Sequence, residues 1–261
     1  MPARDGTAAE AVPPFSPGIR WTGRIAASAC AVLIAATFVL GVAHGETAPD
    51  MSLSPQADDP ALTSAHDSVT YGVTFTGTWT TDVTPAGMPD GAHFSPLIGG
   101  VHNAAVTFLE AGGTATPGVE SMAERGRTAT LAKEIEAAGA NTLGVLRKED
   151  GSGATGSSTF DAVTVTADHP RITLLSMIAP SPDWFVGVSG LSLLDASGAW
   201  VETLTLELFP WDAGTEEGDE LSFDNAATSP QGTITSLRGA APFSDAPIAT
   251  LTFTRSAGSG G

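Results

Sequence analysis

Three acidic residues in the second half of the chain occupy positions from which loops could bring them to one point. Asp183 lies within Ser181-Pro182-Asp183-Trp184-Phe185-Val186-Gly187, just before a run that reads as a strand. Asp212 and Glu216 lie within Asp212-Ala213-Gly214-Thr215-Glu216, just after another such run. Gly214 lets the backbone between them curl, so carboxylates four positions apart can converge. Converging carboxylates repel one another unless a cation is present, and a hard divalent ion such as calcium takes oxygens from carboxylates, carbonyls and water. The competing account is that Asp183 caps a turn after Pro182 and that residues 212–220 form a solvated acidic loop. On composition alone that plainer account is the better one, and Glu217, Asp219 and Glu220 are read as solvated charge.

Other chemistry is thinly represented. His93 and His102 lack a third partner for a zinc site, and a histidine beside Ser95 reads as a loop residue rather than half of a triad. Trp184 and Trp211 each adjoin a candidate ligand and read as core aromatics clamping the loop ends. The sequence has no Gly-x-Ser-x-Gly elbow, no His-Glu-x-x-His and no phosphate-binding loop ending in Lys. A non-catalytic protein is therefore expected. The alternative is a carbohydrate-active enzyme using its clustered carboxylates, since spacing in sequence does not fix their spatial separation.

The elements that would position these acids read as β-structure. Val69, Tyr71, Val73 and Phe75 alternate with Thr70, Gly72 and Thr74, the period of a half-buried strand. Residues 160–166, 171–178, 184–188, 200–209, 232–237 and 248–255 read as further strands, and 104–109 as a strand or a helix. The segment 128–138 reads as one short helix, with Leu131, Ile135 and Ala138 on one face, Glu134 and Glu136 on another, Thr128 at its start and Gly139 at its end. One helix cannot supply the crossovers that parallel strands need, so an all-β, antiparallel β-sandwich is expected.

The first 45 residues carry Arg4, Arg20 and Arg24, an apolar stretch from Ile25 to Val42 and the small-residue run Ala43-His44-Gly45, the order of an export signal. An uncleaved envelope anchor is the alternative reading of that stretch. Residues 46–68 read as a linker, 69–255 as the domain and 256–261 as a tail. The only cysteine, Cys30, falls within the signal, so the exported domain has no disulfide. Loss of the signal takes the formal charge from −18 to −19. Such a field repels phosphate backbones and anionic headgroups, which argues against nucleic acid and direct lipid partners.

Four ordered motifs resemble the spondin domain of F-spondin and mindin. They are Met122-Ala123-Glu124-Arg125-Gly126, Lys133-Glu134-Ile135-Glu136-Ala137-Ala138-Gly139, Pro180 through Val188, and Pro210-Trp211-Asp212-Ala213-Gly214-Thr215. The strand from Tyr71 to Trp79, the loop His93-Phe94-Ser95-Pro96-Leu97-Ile98-Gly99 and the closing Ile248-Ala249 are also similar, so the resemblance spans roughly 69–255. It implies a C2-like β-sandwich, extracellular placement and adhesion to matrix or cell surfaces. It also implies calcium held at one end by Asp183, Asp212 and Glu216. The chain reads as a bacterial-type, single-domain secreted member. Animal members carry cysteines and further modules, so their matrix assembly and receptors do not carry over. Their acid at the position of Glu216 is Asp, so the charge is kept here on a longer arm. The expected partner is an extracellular protein, matrix or surface ligand.

Overall fold

A computed structural model describes residues 68–223 and 225–257. The expected signal lies outside the described residues, as do nearly all of the linker and the last four residues of the tail. No helix among the described residues is long and apolar enough to cross a membrane.

The chain enters the fold at β1 (Val69–Gly77), whose odd-numbered residues are buried and whose even-numbered ones are half-buried, as the alternation requires. The elements that follow are β2 (His93–Phe94), β3 (Ile98–His102), α1 (Pro117–Arg125), α2 (Ala129–Ala137), β4 (Thr142–Arg147), β5 (Ser152–Gly153) and β6 (Ser157–Val165). The second half supplies β7 (Arg171–Ala179), β8 (Trp184–Ser192), β9 (Thr203–Leu208), β10 (Trp211–Asp212), β11 (Thr235–Ser236) and β12 (Ala249–Arg255). Two sheets result. One runs β6-β1-β12-β9, and the other runs β11-β10-β8-β7-β2-β5, with β3 and β4 joining it through β7. Every strand pair is antiparallel.

The inner faces of the two sheets close on a core that includes Tyr71, Phe75, Phe253 and Leu206 from one sheet and Ile172, Val186 and Trp184 from the other. A second core lies on the opposite side of the larger sheet, where Leu175, Met177 and Phe185 meet Val119 and Met122 of α1 and Leu131 and Ile135 of α2. The central strand β7 is therefore covered on both sides, and all its residues after Arg171 are buried.

The β-sandwich matches the sequence expectation, and the helix expected over 128–138 is α2. The structure adds α1, which nine residues and an interrupted apolar pattern hide from periodicity. Thr116 caps it, accepting a hydrogen bond from the Val119 N–H at 3.2 Å, and Pro117 opens it. Gly126 ends it in the left-handed region (φ 62°), its N–H donating to Met122 O at 2.9 Å. A side chain at 126 would also strike Ser95, whose Cβ lies 2.8 Å from where the new Cβ would stand. The end of α1 is thus pinned against the larger sheet.

The segment 104–109 forms neither strand nor helix. Its apolar residues Phe108 and Leu109 are buried as loop residues in the helix-side core.

Candidate functional site

Ser181 shapes the turn that leads into β8. Its hydroxyl donates to the Ile178 carbonyl and accepts from the Trp184 N–H at 3.2 Å. The turn-capping role that the plainer account gave Asp183 thus belongs to Ser181. Asp183 points its carboxylate elsewhere, and its residue is 0 % exposed.

β10 pairs with β8 so that Asp212 stands opposite Trp184, and the Ala213 N–H donates to the Asp183 carbonyl at 3.2 Å. The chain then turns at Gly214 (φ 74°). A Cβ there would lie 2.7 Å from the Gly232 carbonyl carbon, so glycine is needed both for the turn and for the close approach of the 232–233 backbone. Asp212 fixes the turn from below, its Oδ1 accepting from the Gly214 N–H at 2.7 Å and its Oδ2 from the Trp184 indole at 3.2 Å.

The loop after this turn wraps one oxygen of Asp183. Oδ2 accepts from the Thr215 N–H, from the Thr215 hydroxyl at 3.1 Å and from the Glu216 N–H at 3.1 Å. Oδ1 is buried with no hydrogen-bond partner among the described residues. Leaving a carboxylate oxygen without a partner in the interior is costly, and this atom is the least satisfied polar group of the site.

The charge around it is one-sided. Burial, and after it the neighbouring Asp183 charge, push the Asp212 carboxyl up to about 6, against the pull of the Gly214 N–H and the Trp184 indole. Burial also raises Glu124, whose side chain reaches Thr215 and feels Asp183. Glu216 sends its carboxylate towards α1, where Oε1 stands 4.0 Å from Arg125 Nη2. Glu217, Asp219 and Glu220 are exposed.

The structure therefore brings Asp183 and Asp212 together and joins Glu216 to Asp183 through its backbone N–H. It turns the Glu216 carboxylate to the helix side. No group of three or more His, Cys, Asp or Glu able to hold a metal ion is present among the described residues. In donor type the site fits a hard cation, being built of carboxylate oxygens with one of them buried and unmatched.

Sequence reasoning missed Ser181, Thr215, Glu124 and Arg125 as parts of this site. All four stand inside or beside the motifs that carried the spondin resemblance, and those motifs were the available signal.

Trp184 is buried and packs edge-on against Phe243 at 5.2 Å, while Trp211 is half-buried against the helix-side core. His102 is buried far along β3, with Nε2 2.9 Å from Thr173 Oγ1 and Nδ1 2.8 Å from Asn103 O.

Comparison with known proteins places the chain in a family by its sequence. The sequence pattern of the Spondin_N family matches residues 69–248. Spondin-2 of Rattus norvegicus is 35 % identical over 213 residues, covering 75 % of this chain and 64 % of its own. Spondin-2 of Homo sapiens is 35 % identical over 188 residues (70 % and 56 %), and Spondin-1 of Mus musculus is 32 % identical over 195 residues (72 % and 24 %). The chain thus spans less than two thirds of the length of these relatives. It belongs to the Spondin_N family.

Proposed function

We propose that this protein is an extracellular, calcium-binding module that works by adhesion, holding a surface, matrix polymer or partner protein rather than transforming a substrate. The observation that carries the cation is Asp183 Oδ1, a buried carboxylate oxygen with no partner among the described residues, beside the reluctant charge of Asp212. A calcium ion there supplies the missing positive charge, and Asp183, Asp212 and Glu216 are the side chains that would hold it. Binding to the folded state alone stabilises that state, so the ion would stiffen the loops at this end of the sandwich.

Family membership and the signal-like amino terminus support extracellular placement. The formal charge of −18 supports basic proteins or cation-bridged surfaces as partners over phosphate-rich ones. Complete burial of Asp183 speaks against a carbohydrate-cleaving role for this cluster, because a catalytic acid must touch its substrate.

The test is calorimetric titration of calcium chloride into chelator-stripped protein. A saturable heat and a calcium-dependent rise in Tm are expected, both lost in Asp212→Ala. If the wild type gives no heat and Asp212→Ala melts like the wild type with and without calcium, the cation reading fails. Amino-terminal sequencing of the exported product tests secretion: a start at Glu46 supports it, and an earlier start favours the envelope anchor.

A further inference from the structure

We infer that Glu124, near the end of α1, is a fourth carboxylate ligand of the cation proposed above, and that Arg125 is a resident counter-charge which the cation displaces. The inference rests on that proposed reading and extends the site from two loops to a helix.

Glu124 has the placement of a ligand and not of a surface acid. Its side chain is 10 % exposed. It reaches the side chain of Thr215, the residue that serves Asp183. A threonine hydroxyl has one proton, and Asp183 Oδ2 receives it at 3.1 Å, so the same proton cannot also satisfy Glu124. Two carboxylates therefore converge on one donor, and an oxygen of one of them, Asp183 Oδ1, is buried without any. A cation resolves both deficits at once.

The geometry of Arg125 supports the second half. Its Nε stands 3.6 Å from Glu124 Oε2 and its Nη2 4.0 Å from Glu216 Oε1, so the guanidinium lies between the two acids. Charge-assisted hydrogen bonds are about 2.7–2.9 Å long, so neither contact is one. The arginine is 56 % exposed while the two acids are 10 % and 11 % exposed. This is a loose counter-ion at the mouth of the site, able to swing into solvent when a divalent ion enters. Glu124 itself is held in place because Gly126 pins the end of α1 against Ser95.

The experiment uses the full chain, chelator-stripped, with calcium chloride as the titrant and both calorimetric Kd and the calcium-induced Tm shift as readouts. Glu124→Gln should weaken Kd by about tenfold or more, while its Tm in chelator stays at or above that of the wild type. Glu124→Asp should fall between. Arg125→Gln should tighten Kd by about two- to fivefold, the worth of one partly exposed ion pair. If the wild type binds calcium, Asp183→Asn abolishes binding and Glu124→Gln stays within about twofold of the wild type, the ligand assignment is wrong and the calcium reading stands. Weaker binding by Arg125→Gln overturns the counter-charge. If the wild type binds no calcium, both this inference and the reading beneath it fall.

Discussion

Thr215 gives both its backbone N–H and its hydroxyl to a single oxygen of Asp183, and the other oxygen of that carboxylate is buried with no donor among the described residues. The two halves of one side chain thus have different work. Oδ2 holds the loop 212–216 onto the start of β8, and Oδ1 is the oxygen that the proposed cation would take. The residue that builds the loop is thus the same residue that leaves a buried oxygen unsatisfied.

Removing Asp183 should consequently cost stability whether or not calcium is present. Asp183→Ala leaves the Thr215 and Glu216 N–H groups without their acceptor. Each buried unpaired group costs about 1–3 kcal/mol, so a loss of about 3–5 kcal/mol is expected in chelator. Asp183→Asn keeps an oxygen in the place of Oδ2 and should lose less than half as much. Urea unfolding of the three proteins checks this, and equal midpoints for Asp183→Ala and the wild type would remove the structural half of the role.

Asp212 makes the cation-free protein sensitive to pH in an unusual direction for a carboxylate. Its folded-state value is raised to about 6 from an ordinary 3.8. Between those values the folded protein holds a proton that the unfolded chain releases, so stability from this group is full below about 3.8 and declines as pH rises through about 6. Above that range the charged form sits half-buried beside Asp183. Chemical denaturation in chelator from pH 4 to 7 should show this decline in the wild type relative to Asp212→Asn, in which the other carboxylates titrate as before. Saturating calcium should reverse the difference, because the ion replaces the proton in the wild type and cannot do so in Asp212→Asn. Identical pH profiles for the two proteins in chelator would show that Asp212 does not carry the charge stress.

Much of this arrangement was legible in the sequence, and the illegible part has physical causes. Alternation marked β1 because one face is core and the other is half-exposed, and β7 read as a strand from a mostly apolar segment broken only by Thr173 and Ser176. β3 escaped because Gly99 and Gly100 look like loop residues. They are glycines because a Cβ at 99 would lie 1.9 Å from the Thr173 carbonyl oxygen and one at 100 would press on Ile135 at 2.8 Å. The acids Asp183, Asp212 and Glu216 were visible as residues at strand ends. Their division of labour was not, since it depends on which oxygen the 215–216 backbone reaches. Glu124 was hidden because a helix residue enters a loop site only through tertiary packing of α1.

Glu134 is a second acid whose work depends on tertiary packing, at the far end of α1. Periodicity set it opposite the apolar face of α2, yet its carboxylate crosses to the amino terminus of α1. Oε1 accepts from the Gly118 N–H at 2.7 Å, and Oε2 accepts from the Thr116 hydroxyl at 2.6 Å. A side chain at 118 would stand 2.4 Å from that carboxylate, so Gly118 leaves the space it occupies. The acid meets the positive end of the helix dipole and one of its orphan donors. Glu134→Ala should lower stability by about 1–2 kcal/mol, the range for losing a helix cap. It should also speed amide exchange over residues 117–125 more than elsewhere. Because Glu124 rides on the other end of the same helix, the calcium-induced Tm shift should shrink as well. Unchanged exchange in α1, measured beside the wild type under the same conditions, would mean that the Pro117 start and the Gly126 stop hold the helix without this cap.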